Sequence, residues 1–200
     1  MAGPAELVRR LLDEHGQTYA EEAGIKLADK PSPLYRLLVL TTLLSVRIRS
    51  EIAVAAAREL SRTGWRTPRA MREATWQQRV DALGRAHYVR YDESTARHLG
   101  EGAELLLDEW GGDLRRLRRE AGGDDVVLRR SLKRFPRIGD VGAEIFCREV
   151  QAVWPELRPF FGRRALRAAE ALGLPGSAER LAELGPVHRV AAALVRSSLG

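Results

Sequence analysis

Residues Leu132 to Phe146, LKRFPRIGDVGAEIF, carry the groups best suited to holding an anion. Pro136 blocks continuation of a helix arriving from the N-terminal side, Gly139 supplies a permissive backbone, and Asp140 can cap a following helix through its carboxylate. Two helices joined by the tight hairpin Pro136-Arg137-Ile138-Gly139 are the expected result. At the start of the second helix, backbone amides around Ile138, Gly139, Val141 and Gly142 lack intrahelical acceptors and lie at the positive end of the helix dipole. A nucleic-acid phosphate is the ligand such a site fits, and Arg137 at the tip adds a cation to it. Gly142 and Ala143 keep the second helix slender where it is expected to pack on the first.

Covalent chemistry has less material. Of the 33 basic residues only Lys26, Lys30 and Lys133 are lysines, so any imine mechanism has three amines to draw on. Cys147 is the sole cysteine, which leaves no disulfide framework and no four-cysteine cluster.

The elements that must position the hairpin are helical throughout, with no convincing alternation of the strand type. Expected helices run from Ala5 to His15, Leu34 to Val46, Glu51 to Ser61, Thr67 to Glu73, Thr75 to Leu83 and Asp92 to Trp110. After a basic turn at Leu114 to Arg119 come Asp125 to Phe135 and Asp140 to Val153, the two arms of the hairpin. Arg163 to Leu172, Ala178 to Leu184 and Val187 to Leu199 close the chain. Residues 17 to 32 read as irregular. Leu37, Leu38, Leu40, Thr41 and Leu44 mark the centre of the core.

Two hundred residues with 44% apolar content suffice for one large domain or two small lobes. The net charge of +6 favours an anionic partner, and the charge is uneven. Between residues 126 and 167, ten basic side chains face four acidic ones. No run of about eighteen apolar residues and no signal-peptide layout occurs, so a soluble, cytoplasmic protein without membrane contact is expected.

The spacing h-x-x-h-P-x-h-G-x-x-x-A-x-x-h across the hairpin resembles the helix-hairpin-helix of the DNA glycosylase superfamily that includes endonuclease III. The resemblance extends from about Leu34 to Leu172 and implies an all-α, two-lobed fold. Residues 34–136 would form one lobe, with the first hairpin arm, and residues 1–33 with 137–200 the other. It further implies double-stranded DNA as partner, damaged or abasic, in the cleft between the lobes, and a monomer. The cysteine count excludes an iron–sulfur cluster; no other cofactor is expected, the resemblance allows a monovalent cation at the hairpin, and no other metal site is expected.

In the family, a joint after a helix ending in LLS carries a glutamine that fills the gap left by an extruded base. Leu43-Leu44-Ser45 matches that ending and places Arg47 at the glutamine, with a solvated loop arginine as the plain alternative. A second family loop wedges into the base stack. Here the segment Gly84 to Tyr91 is longer and carries Arg85, His87, Tyr88 and Arg90, aromatics beside cations that suit stacking and phosphate contact. Tyr88 is assigned to DNA and Tyr91 to the core. Arg163 and Arg164 join the list of DNA contacts, Arg164 at the family's own arginine.

The family's chemistry is where this chain departs. Its strand-nicking lysine, in the pattern LPGVGRKTA, falls on Val141, and its aspartate, in VDTHVxRV, falls on Pro159. Valine cannot form an imine, so no lyase activity is expected. Glu156, Asp140 and Glu144 are the candidate substitute carboxylates, each with a plainer reading as a helix cap or exposed helix residue. The family's first hairpin glycine is Arg137, which puts the hairpin backbone geometry in question. Two functions follow: a DNA-binding protein of the base-excision-repair fold without excision chemistry, or a monofunctional glycosylase acting on labile alkylated bases through a substitute acid. Enzyme status is left open by the two missing residues.

Overall fold

Helix starts and stops follow local chemistry along most of the chain. A computed structural model describes residues 3–199, and its helices are α1 Pro4–His15, α2 Tyr19–Glu22, α3 Pro31–Leu44, α4 Ser50–Thr63, α5 Pro68–Glu73, α6 Trp76–Arg85 and α7 Asp92–Trp110. They continue as α8 Leu114–Ala121, α9 Asp125–Leu132, α10 Asp140–Val150, α11 Gly162–Ala171, α12 Ala178–Ala182 and α13 Val187–Ser197, with one 3-10 turn at Pro155–Leu157. The fold is all-helical. Among the described residues no helix is long and apolar enough to cross a membrane.

Thr67, Thr75, Asp113 and Asp124 accept hydrogen bonds from the first amides of α5, α6, α8 and α9, the usual remedy for donors without an intrahelical partner. Gly111 and Gly122 end α7 and α8 in the left-handed conformation that glycine adopts without steric cost. The short α2 was not expected. It is held by a capping box in which Thr18 and Glu21 satisfy each other's backbone amides, a T-x-x-E signal inside a stretch read as irregular. Helix α9 stops at Leu132, three residues early, because the amides of Arg134 and Phe135 turn to carbonyls three residues back and tighten the chain before Pro136.

Apolar side chains divide into two clusters. The larger is built around α3, whose Leu34, Leu37, Leu40 and Leu43 are fully buried, and it includes Tyr19, Ala143, Phe146, Val150, Trp154 and Phe160. The smaller joins Val8 and Leu11 of α1 to Phe161, to Ala165 and Ala169 of α11, and to Val190 and Leu194 of α13. The division therefore falls between Phe160 and Phe161 rather than after Pro136. Helix α10 belongs to the larger lobe because Ala143, Phe146 and Val150 pack into its core, and so does the α2 region, which had been assigned to the second lobe.

Polar contacts brace the larger cluster, and Arg196 ties it to the smaller one. Glu149, at the end of α10, accepts hydrogen bonds from the amides of Tyr19 (3.3 Å) and Ala20 (2.9 Å) at the start of α2. Arg196 of α13 lies over the Tyr19 ring at 4.8 Å and pairs with Glu22 at 2.7 Å. Gln151 donates to the Phe160 carbonyl and accepts from the Phe160 amide, which fixes the chain reversal into α11.

Candidate nucleic-acid interface

Three segments distant in sequence meet at the start of α10. The hairpin rests on α7, where a Cβ on Gly102 would touch Phe135 and Pro136 at 3.8 and 3.9 Å. The joint 45–49 lies against the first turn of α10: a Cβ on Gly142 would come within 2.4 Å of Ser45 Oγ, which itself donates to the Thr41 carbonyl. Gly142 thus makes room for the end of α3 rather than for the first hairpin arm. The loop 86–91 is tied to both, since the Tyr88 hydroxyl donates to the Leu43 carbonyl at 3.0 Å and the Arg137 guanidinium lies over the Tyr91 ring.

The hairpin keeps its left-handed turn despite the arginine. Arg137 has φ +71, a conformation that costs a residue with a Cβ on the order of 1–2 kcal/mol. The side chain so placed is exposed, donates to Ser94 Oγ at 3.3 Å and faces Tyr91 at 5.9 Å. Gly139 is the N-cap of α10 and provides no side-chain cap. Among the described residues, the amides of Gly139, Asp140, Val141 and Gly142 have no acceptor. Val141 is 65% exposed, so this end of the helix opens outward. Ile138 is buried and its amide donates to the Phe135 carbonyl at 3.2 Å, so it offers a ligand no free donor. Asp140 does not cap: its carboxylate accepts from Lys133 Nζ at 2.8 Å, and that ammonium holds it below the usual carboxylate range.

The cations expected to meet DNA fall into two groups. Arg47, Arg90 and Arg137 are exposed and make no ion pair among the described residues; Arg90 lies over the Tyr91 ring at 5.3 Å. His87 is exposed at φ +60 beside them. The others are engaged: Arg85 pairs with Glu59 at 2.6 Å, Arg163 with Glu144 at 3.0 Å, and Arg164 donates to Ser198 Oγ at 3.0 Å. Tyr88 corrects the sequence reading. It is fully buried, its hydroxyl pushed up to about 12 by burial, so it pins the loop to α3 and offers no face to a base. Tyr91, assigned to the core, is the half-buried ring that the two arginines cover.

The candidate acids separate as well. Glu156 is locked in a two-pronged pair with Arg118 (2.6 and 2.8 Å), which also holds Asp29 at 2.8 Å and covers the Trp154 ring. That guanidinium depresses the Glu156 pKa, and the cluster braces α8 against the Pro155–Leu157 turn. Glu144 stands one helical turn beyond Val141 on the same face of α10, its side chain 14% exposed. It accepts from the Arg163 amide (3.1 Å) at the start of α11 and from Arg163 Nε.

No protein-family model matches the sequence, and no curated protein sequence is similar to it. Among solved structures it is similar to a trapped endonuclease III–DNA covalent intermediate, an estranged-adenine complex, with a TM-score of 0.52 and 16% sequence identity. The match covers 98% of this chain and 85% of that one. With two apolar clusters and a hairpin between α9 and α10, the chain has the all-helical fold of endonuclease III.

Proposed function

We propose that this chain is a DNA-binding protein of the base-excision-repair glycosylase type, which grips damaged, distorted or abasic duplex DNA and does not nick it. The observation that carries the reading is the meeting of hairpin, joint and loop around an α10 start whose first amides lack acceptors. Those amides and Arg137 hold a backbone phosphate. Arg47 and His87, at the exposed tips of the neighbouring segments, are the side chains placed to enter a stack from which a base has left. Strand cleavage by an imine lacks its amine, since position 141 is valine and Lys133, on the other side of the hairpin, is paired with Asp140.

Fluorescence anisotropy with short duplexes, intact and carrying a stable abasic analogue, tests this. The abasic duplex binds more tightly, and Arg137→Ala weakens both while lowering the slope of log affinity against log salt by roughly one. No binding of either duplex at moderate salt overturns the reading and leaves a helical protein-interaction module. Borohydride trapping on abasic DNA gives no adduct; one mapping to Lys133 refutes the absence of lyase chemistry.

One observation favours a second reading, a monofunctional glycosylase. Glu144, not Glu156, is the acid facing the seam between α10 and α11. A carboxylate held there can stabilise positive charge on a sugar whose bond to an alkylated base is already weak. Base loss from alkylated duplexes, read by alkaline cleavage, would then vanish in Glu144→Gln and persist in Glu156→Gln. Intact bases with the wild-type protein remove this reading.

A further inference from the structure

Beside the hairpin, where α6 and α7 begin, lies an open depression of about 550 Å³. Its walls include Trp76, Arg90, Tyr91, Ser94 and Arg97. Trp76 is 43% exposed, and its indole N–H donates to the Glu93 carbonyl at 3.1 Å, which fixes the ring by one edge and leaves a face free. Arg137 reaches the rim through Ser94 Oγ, so the hairpin and the depression share a wall.

We infer that this depression is a binding site for a single unpaired nucleotide of the DNA held at the hairpin. The inference deepens the DNA-binding reading above and rests on it. A base stacks on the free face of Trp76, as aromatic platforms for single strands do, and Arg90 and Arg97 meet its phosphates. Only an unpaired nucleotide fits. Inside a duplex both faces of a base are covered by its neighbours and cannot reach an indole.

Two acids line the same depression and shape the choice of ligand. Asp92 and Glu93 stand at the start of α7, and the Asp92 carboxylate already accepts from the Glu93 amide at 2.7 Å. Their remaining oxygens repel a phosphate but accept amino hydrogens of a base, and an unpaired base offers both hydrogens of its amino group where a paired one offers a single hydrogen in the major groove. The acids therefore face the base edge, and the arginines face the backbone.

The experiment compares a fully paired duplex with the same duplex carrying one bulged nucleotide, using anisotropy and the protein's own tryptophan emission. Trp110 and Trp154 are buried and Trp65 is half-buried, which leaves Trp76 as the most exposed indole able to meet a base. The wild-type protein prefers the bulged duplex, and its emission is quenched on binding. Trp76→Ala lowers affinity for the bulged duplex by roughly tenfold and leaves the paired duplex almost unchanged. Trp76→Phe keeps the preference but loses the quench, which guards against an effect of misfolding in the alanine variant. Arg137→Ala weakens both duplexes.

Equal binding of the two duplexes by the wild-type protein overturns the site, as does an unchanged preference in Trp76→Ala. Failure to bind either duplex would instead bring down the DNA-binding reading itself, so the two failures are distinguishable.

Discussion

The two ends of α10 are built to opposite rules. At its C-terminal end Arg148, Glu149 and Gln151 are almost wholly buried, and Glu149 and Gln151 are bonded to backbone groups of α2 and of the turn into α11. At its N-terminal end four successive amides lack acceptors, Val141 is exposed, and Arg137 sits in a left-handed conformation without an acidic partner. Polar groups buried without partners destabilise a fold, so Glu149 and Gln151 are satisfied from within, while Arg148 Nε, 4.0 Å from Glu149, is the exception. Polar groups left open at the surface cost little, and here they converge. Basic charge alone does not mark the interface: of the ten cations between residues 126 and 167, several are neutralised in pairs such as Arg129 with Asp125, Arg134 with Glu109 and Arg163 with Glu144. What distinguishes the hairpin is charge and amides left unspent.

The contrast breaks first at the buried end. Glu149→Ala leaves the amides of Tyr19 and Ala20 without an acceptor and Arg148 without its nearest acid, and is expected to destabilise the protein by about 3 kcal/mol. Urea unfolding measures this, and the folded fraction should still bind DNA. Burial raises the Glu149 pKa above its unfolded value, with Arg148 opposing. An acid of raised pKa contributes stability below the ordinary carboxylate range and loses it as pH rises through the raised value. Glu149→Gln, which cannot ionise, should flatten that part of the stability profile; an unaltered profile would place the titration elsewhere.

A smaller effect, of mixed sign, is expected at the open end. Arg137→Gly relieves the left-handed backbone and should stabilise the fold by about 1 kcal/mol while weakening DNA binding. Arg137→Ala keeps the strain and loses the cation, so it should match glycine in binding but not in stability. If both variants bind as the wild type does, the arginine has no role in the interface.

What the sequence made legible is what depends on neighbours in the chain. Pro136, Gly139 and the helices on either side of them were readable, because a proline and a glycine at that spacing leave the backbone few alternatives. The burial of Tyr88 was not readable. Which of two tyrosines turns inward is decided by the Leu43 carbonyl, 45 residues away, which has no helical donor at the end of α3. The lobe boundary was missed for a related reason: α10 buries residues on nearly every face of its second half, so its periodicity does not reveal which core it joins. Among the acids, Glu144 and Glu156 looked equivalent. Only the folded chain separates the one facing α11 from the one bound by Arg118.

Asp140 offers the finest test of the contrast. Its carboxylate lies at the first position of α10, favourable to the helix dipole, and neutralises Lys133. Both roles oppose DNA, since a negative charge beside the empty amides repels a phosphate and occupies a cation. Asp140→Asn should therefore lower stability slightly and yet raise affinity for duplex DNA. Because Lys133 is released, the slope of log affinity against log salt should steepen by about one, opposite in sense to Arg137→Ala. Weaker binding in Asp140→Asn would mean that the Lys133–Asp140 pair orders the hairpin for its ligand, and that this end of α10, like the other, is held in place from within.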